Sequence, residues 1–201
     1  MTTNPTTSSA GQRIGLFGGT FDPVHLGHLL VAQAAREELS LTRLFYILAA
    51  QSPFKPERQP TPPEQRVRLL RLALAGQEWC GIDDQEVQRG GLSYTIDTVK
   101  DYTERFPQAQ LFYLVGADHV PQLTKWREAK ELARLAQFVV IPRPGQAEVP
   151  LPAPFQGRTL AGFPLGLSSS QIRQRVVAGL PIDHLVPSSV AEVIHNNRLY
   201  L

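Results

Sequence analysis

The sequence predicts an α/β fold, a doubly wound parallel sheet with helices on both faces and a helical C-terminal segment. Three observations carry this. Short apolar runs of strand length alternate with longer segments of helical periodicity. The first run, Arg13-Ile14-Gly15-Leu16-Phe17, ends in Gly18 and Gly19, as a buried strand does before a tight turn. The helical segments carry apolar stripes able to cover a sheet.

Taken in order, a strand over residues 13–17 is followed by a helix. In it Leu26, Leu30 and Ala34 recur at four-residue spacing, as do Val31, Ala35 and Leu39, so most of its surface should be covered. A second strand is expected at 44–49. Residues 52–63 hold five prolines with Lys55 and Arg58, the composition of an extended loop that ends at a helix start near Pro62 or Pro63. Val67, Leu70 and Leu74 give that helix its stripe. Strands follow at 80–82, 111–115 and 138–141, with a helix at 95–106. The Pro-rich stretch 142–164 reads as a long surface connection, because the ~35 residues beyond it are too few for an independent domain. Ser168 and Gln171 match a capping box, Ile172 and Val176 supply an apolar face, and Gly179 with Pro181 ends that helix. A last helix, capped by Ser189 and Glu192, should close the chain.

The length of 201 residues suits one domain, which we place at 13–201 after a polar tail at 1–12 expected to be disordered. The tail lacks the basic start and apolar stretch of a signal peptide, and no apolar run approaches the ~20 residues of a membrane helix. The single cysteine, Cys80, allows no internal disulfide, which fits a reducing cytosol, and its neighbours Trp79 and Ile82 suggest a buried thiol. A cytoplasmic protein is therefore expected. The net charge of +2 is too small, and the basic residues too dispersed, for a nucleic-acid binder, whereas small anionic substrates are compatible with it. Both a monomer and a homo-oligomer stay open.

The chemistry concentrates in Gly18-Gly19-Thr20-Phe21-Asp22-Pro23-Val24-His25-Leu26-Gly27-His28, between the first strand and the first helix. Nucleotides bind at that position of an α/β fold. Glycines let backbone approach a ligand, and the N–H groups of a helix N-terminus attract phosphate. Neither a Walker loop nor the dinucleotide fingerprint is present. His25 and His28, three residues apart, share one helical face and can converge on a single oxyanion, with Gly27 keeping that face open. The alternatives are histidines that only pack at a helix start, or metal ligands. The second lacks a nearby carboxylate or third histidine at suitable spacing.

This run resembles the G-G-T-F-D-P-x-H-x-G-H signature of the nucleotidyltransferase superfamily that carries the H-x-G-H motif, in the form typical of bacterial nicotinate-nucleotide adenylyltransferases. Other segments agree in order: Ser93-Tyr94-Thr95-Ile96-Asp97-Thr98, Gly116-Ala117-Asp118, Lys125-Trp126, Val139-Val140-Ile141-Pro142-Arg143-Pro144-Gly145, and Leu167-Ser168-Ser169-Ser170-Gln171-Ile172-Arg173. The resemblance runs from about residue 13 to Leu199-Tyr200. Two departures stand out: Pro53-Phe54-Lys55 where relatives often carry Pro-His-Lys, and Ser170 where they carry threonine.

The resemblance implies a Rossmann-like sheet and transfer of AMP from ATP to nicotinate mononucleotide, forming nicotinate adenine dinucleotide and pyrophosphate in NAD biosynthesis. It implies that Gly18, Gly19, Thr20, Phe21, His25, His28, Gly116, Asp118, Ser168, Ser169 and Arg173 bind ATP. His28 is then the better candidate to stabilise the transition state, and Lys55, Ser169 and Arg173 grip the β- and γ-phosphates. Asp118 would meet a ribose hydroxyl; by position alone the alternative is a helix N-cap. Ser168 by itself reads as a cap, and Arg173 and Arg175 as solvent-facing. Trp126 would stack on the pyridine ring, or is simply core, while Thr95 and backbone near Ile96 meet the ring substituent and Arg127 adds charge. Mg²⁺ is the expected ion, held mainly by phosphates and water. Competing readings are another H-x-G-H transferase, which would lack the Ser93–Thr98 and Trp126 segments, and a non-catalytic nucleotide-binding regulator, which would have lost phosphate-gripping residues.

Overall fold

A computed structural model of the protein describes residues 11–50, 60–163 and 165–201. The expected tail therefore lies almost wholly outside the described residues, as do Phe54 and Lys55. The chain runs β1 (Arg13–Gly19), α1 (Leu26–Leu39), β2 (Arg43–Leu48), α2 (Pro63–Ala73), β3 (Cys80–Asp83), α3 (Gln85–Arg89), α4 (Thr95–Arg105) and β4 (Gln110–Gly116). A 3-10 helix (Ala117–Lys125) follows, then α5 (Ala129–Leu135), β5 (Gln137–Ile141), β6 (Gly157–Thr159), α6 (Ser169–Val177) and α7 (Ser188–Asn196).

The strands form one sheet in the order β3-β2-β1-β4-β5-β6, and every neighbouring pair is parallel. The chain winds outward from β1 in one direction and then, from β4 onward, in the other. The crevice at the carboxyl ends of β1 and β4 is thus the topological switch point where such sheets bind ligands.

Alternation along the strands divides the core in two. Leu44, Tyr46 and Leu48 face one layer, together with Leu70, Ile172 and Ile194. Phe45 and Ile47 face the other, with Ile96, Val99 and Leu132. The period-2 pleat thus feeds both helical layers from the same strand.

Most of the expected elements are present within a residue or two. Along α1 only Arg36 and Glu37 are exposed, so the helix is covered as its double stripe predicts. The Ser168 capping box forms, with Ser168 N–H donating to Gln171 Oε1 at 2.8 Å and Gln171 N–H to Ser168 Oγ at 3.3 Å. Gly179, at φ 65°, takes the left-handed position after α6.

Three expectations need correction. The connection 142–164 is not only loop: Gly157–Thr159 adds a sixth strand beside β5, anchored by buried Phe155 and Leu160. At Gly157 a Cβ would lie 1.7 Å from the Phe138 carbonyl oxygen, so the pairing needs glycine there. The last helix starts at Ser188 behind Pro187 with no side-chain cap, so Ser189 lies inside the first turn and does not cap it. Cys80 is half-buried against the α6-side layer, yet burial still pushes its thiol up to about 12.

Candidate active site

A cavity of about 520 Å³ opens at the switch point. One wall is the loop from Gly18 to His25. Its backbone is held unusually close to side chains: a Cβ on Gly19 would lie 2.9 Å from the Phe21 ring, and one on Gly18 2.8 Å from the Tyr113 hydroxyl. Phe21 adopts a left-handed φ of 46° and packs edge-on against Phe17 and His28.

His25 caps α1 in extended conformation and His28 sits on its first turn. Their rings stack with centroids 3.7 Å apart, and the His25 backbone N–H donates to His28 Nδ1 at 3.2 Å. A Cβ on Gly27 would come within 3.0 Å of the His25 ring, which explains the glycine between them. Both imidazoles are held neutral. Burial and then the positive Arg143 lower His25 to about 4; burial, His25 and Arg143 drive His28 well below its usual range. With Nδ1 accepting, neutral His28 carries its proton on Nε2, and the residue lines the cavity.

The second wall is the start of α6. Ser168, Ser169 and Ser170 line the cavity with Arg173, so the N-termini of α1 and α6 border one space. Ser169 Oγ donates to the Pro23 carbonyl at 2.9 Å; Arg173 Nη1 donates to the Asp22 carbonyl at 2.5 Å and Nη2 to Ser170 Oγ at 2.9 Å. Arg173 is thus not a solvent-facing residue.

Behind β4, Gly116 lines the cavity and caps the 3-10 helix. Asp118 stands on its first turn just outside the lining, and its carboxylate accepts from Arg143 Nε at 3.0 Å. The N-cap alternative for Asp118 therefore does not hold, since Gly116 has that position.

The cavity lining draws on both core layers: Tyr94, Tyr113 and Trp126 belong to the α4 side, and Ile141, Leu160 and Leu167 to the α6 side. On the α4 side Trp126 meets Tyr113 edge-on at 6.1 Å, and Thr95 Oγ1 lies 3.2 Å from the Tyr113 hydroxyl. The Ile96 side chain is fully buried beneath α4, so only its backbone is available to a ligand. Arg127 lies over the Tyr94 ring at 4.9 Å, with Nη1 4.0 Å from Asp97 Oδ2. The lining stretch at Leu160 and Gly162 is held by Glu38 at the end of α1, which accepts from the backbone N–H groups of Ala161 at 3.0 Å and Gly162 at 2.8 Å.

Of the expected residues, Gly18, Gly19, Thr20, Phe21, His25, His28, Gly116, Thr95, Trp126, Arg127, Ser168, Ser169 and Arg173 gather around this one space. Lys55 lies outside the described residues, although Ala49 and Pro60 on either side of that segment line the cavity. Sequence reasoning passed over Arg143 and Tyr113. Arg143 follows a strand end in the quoted Val139–Gly145 run, a signal that could have marked it; Tyr113 reads in sequence as one more strand residue.

Lys125, Arg127, Arg143 and Arg173 bring four cationic side chains to the lining, against the buried acids Asp22 and Glu86. Backbone donors, neutral histidine donors and peripheral cations suit a polyanion.

Comparison with known proteins agrees with this geometry. Residues 16–175 match the family described as Cytidylyltransferase-like. The "Probable nicotinate-nucleotide adenylyltransferase" of Opitutus terrae is 39% identical over 192 residues, covering 94% of this chain and 98% of the relative. That of Corynebacterium kroppenstedtii is 37% identical, covering 97% and 94%. Among solved structures, the Plasmodium falciparum nicotinic acid mononucleotide adenylyltransferase complexed with NaAD superposes with a TM-score of 0.78 at 17% identity. It covers 94% of this chain and 97% of its own. The chain belongs to the cytidylyltransferase-like family, among its nicotinate-nucleotide adenylyltransferases.

Proposed function

We propose that this protein transfers the AMP moiety of ATP to nicotinate mononucleotide, releasing pyrophosphate and forming nicotinate adenine dinucleotide. The observation that carries the reading is the make-up of the cavity: His25, His28 and the α6 N-terminus meet in one space whose lining also takes aromatic and apolar residues from both core layers. Donors for phosphate beside apolar surface for rings suit a dinucleotide product.

The acceptor's 5′-phosphate oxygen attacks the α-phosphorus of ATP in line. The new O–P bond forms as the bond to the bridging oxygen breaks, and its electron pair leaves with pyrophosphate. The attacking phosphate is already ionised near neutral pH, so no protein base is needed and the work is alignment and charge stabilisation. His28 Nε2–H faces the charge growing on the α-phosphoryl oxygens. Ser169, Arg173 and Lys55 hold the β- and γ-phosphates, and Arg143, beside both histidines, adds positive charge to the same centre. Asp118 takes a ribose hydroxyl of ATP. Trp126 stacks on the pyridine ring, while Thr95 and the α4 N-terminal amides at Thr95 and Ile96 meet its carboxylate.

Lys125, Arg143 and Arg173 in the lining would repel a bare cation and accept one already neutralised by phosphate. Mg²⁺ therefore fits as an ion carried in by ATP and water, where it offsets phosphate charge. The working unit is a single domain over residues 13–201, acting in the cytoplasm.

The test is pyrophosphate release from ATP and Mg²⁺ with a panel of acceptors: nicotinate and nicotinamide mononucleotides, phosphopantetheine and CMP. Turnover confined to the pyridine mononucleotides is expected. Turnover with phosphopantetheine alone would replace this reading with another transferase of the family.

A further inference from the structure

Arg66, on the first turn of α2, is wholly buried. A guanidinium keeps its charge inside a protein, and the desolvation is tolerated only where its N–H groups find acceptors. Here Nε and Nη1 find backbone from three separate segments, while Nη2 is buried without a hydrogen-bond partner among the described residues. Nε donates to the Thr61 carbonyl at 2.8 Å, just before α2; Nη1 donates to the Thr20 carbonyl at 2.9 Å, in the loop after β1, and to the Ala49 carbonyl at 2.9 Å, just after β2. Asp22 is also buried, attracts Arg66 electrostatically, and accepts from the Thr61 N–H at 3.4 Å.

The position of these contacts matters more than their number. Phe21 holds a left-handed backbone that a non-glycine residue keeps only when its surroundings enforce it. Arg66 fixes the peptide just before Phe21 through the Thr20 carbonyl. Arg173 and Ser169 fix the peptides just after it, through the Asp22 and Pro23 carbonyls. The loop is braced from the interior by α2 and from the cavity side by α6. An apolar side chain of similar size would fill the space under the loop and hold none of those carbonyls.

We propose that Arg66 is a positioning residue for nucleotidyl transfer, which clamps the Thr20, Ala49 and Thr61 carbonyls and so sets the 18–25 loop, and with it His25 and His28, for the ATP phosphates. The proposal rests on reading the 18–28 segment as the ATP phosphate site.

The test compares wild type with Arg66→Met and Arg66→Lys by two readouts. Amide hydrogen exchange of residues 18–28 reports the brace without any substrate. Steady-state kinetics and calorimetry separate ATP use from acceptor binding. For Arg66→Met, exchange in that segment rises at least ~10-fold and kcat/KM for ATP falls at least ~10-fold, while the Kd for nicotinate mononucleotide alone changes less than ~3-fold. Arg66→Lys recovers part of both losses, because an ammonium reaches one carbonyl but not the set. Unchanged exchange overturns the proposal. So does unchanged kcat/KM for ATP, or an equal loss in ATP use and acceptor binding, the mark of general unfolding. Should Arg66→Met fail to fold, Arg66→Lys carries the same readouts and the same criteria. Absence of turnover in wild type would instead refute the adenylyltransferase reading, and the exchange result alone would then decide whether Arg66 braces the loop.

Discussion

The backbone N–H of His25 donates to Nδ1 of His28, so the first histidine of the pair orients the second. That bond, with the 3.7 Å stack of the two rings, leaves Nε2–H of a neutral His28 as its free donor direction.

His28→Ala is therefore expected to lower kcat by about 10²–10³, the usual cost of removing one transition-state donor. Loss of the bond to His25 N–H also takes a cap from α1, worth about 1 kcal/mol. The thermal midpoint should fall by a few degrees with the far-ultraviolet spectrum unchanged. Near wild-type kcat in the folded variant would remove His28 from the mechanism.

Acid should destabilise the fold through the same pair. His25 is lowered from 6.5 to about 4, so between those values the unfolded chain binds a proton that the folded one refuses. Stability is complete above pH 6.5, declines as pH falls toward 4, and loses about 3 kcal/mol over that window from His25. His28 acts in the same direction. Urea unfolding at pH 7, 6, 5 and 4 should show the decline, and His25→Asn should flatten it. An equal slope in the variant would show that other groups carry the acid sensitivity.

Arg173 bonds the Asp22 carbonyl and Ser170 Oγ with two different nitrogens, a geometry no ammonium reproduces. Arg173→Lys preserves net charge yet should reduce kcat/KM for ATP by about 10–100-fold. An unaltered value would mean that the guanidinium holds neither the loop nor the leaving pyrophosphate.

Nicotinate mononucleotide should be preferred over nicotinamide mononucleotide by at least ~10² in kcat/KM, about 2.7 kcal/mol. On the proposed reading, discrimination should arise where donors at Thr95 and the α4 N-terminus lack a matching acceptor on the amide NH₂. Arg127 contributes little: its side chain is 53% exposed and already lies near Asp97. Most of the preference should survive Arg127→Ala. Equal use of both acceptors by wild type would leave adenylyl transfer standing and overturn nicotinate selectivity.

The alternation of strand and helix, the apolar stripes of α1 and α2, the Ser168 box and the Gly179 stop are all local patterns, and each lies where residues a few positions apart predict it. The cavity loop was legible for the same reason, since Gly18 to His28 are contiguous in the chain. Elements without a local signature escaped. Gly157–Thr159 is too short and proline-flanked to show a period, and it becomes a strand only because β5 offers an open edge.

Tertiary structure alone decided which distant residues meet. Arg143 comes from the end of β5 and lies close enough to His25 and His28 to depress both, because β5 stands two strands from β1 in the sheet. Arg66 reads in sequence as one charge among several on α2, and only packing shows it sealed beneath the loop with its donors on Thr20, Ala49 and Thr61. The sequence by itself determined the elements and the residue types that can bind phosphate, because local spacing sets both. The sheet order decided which side chains share the low-dielectric crevice, and burial there sets their charge states.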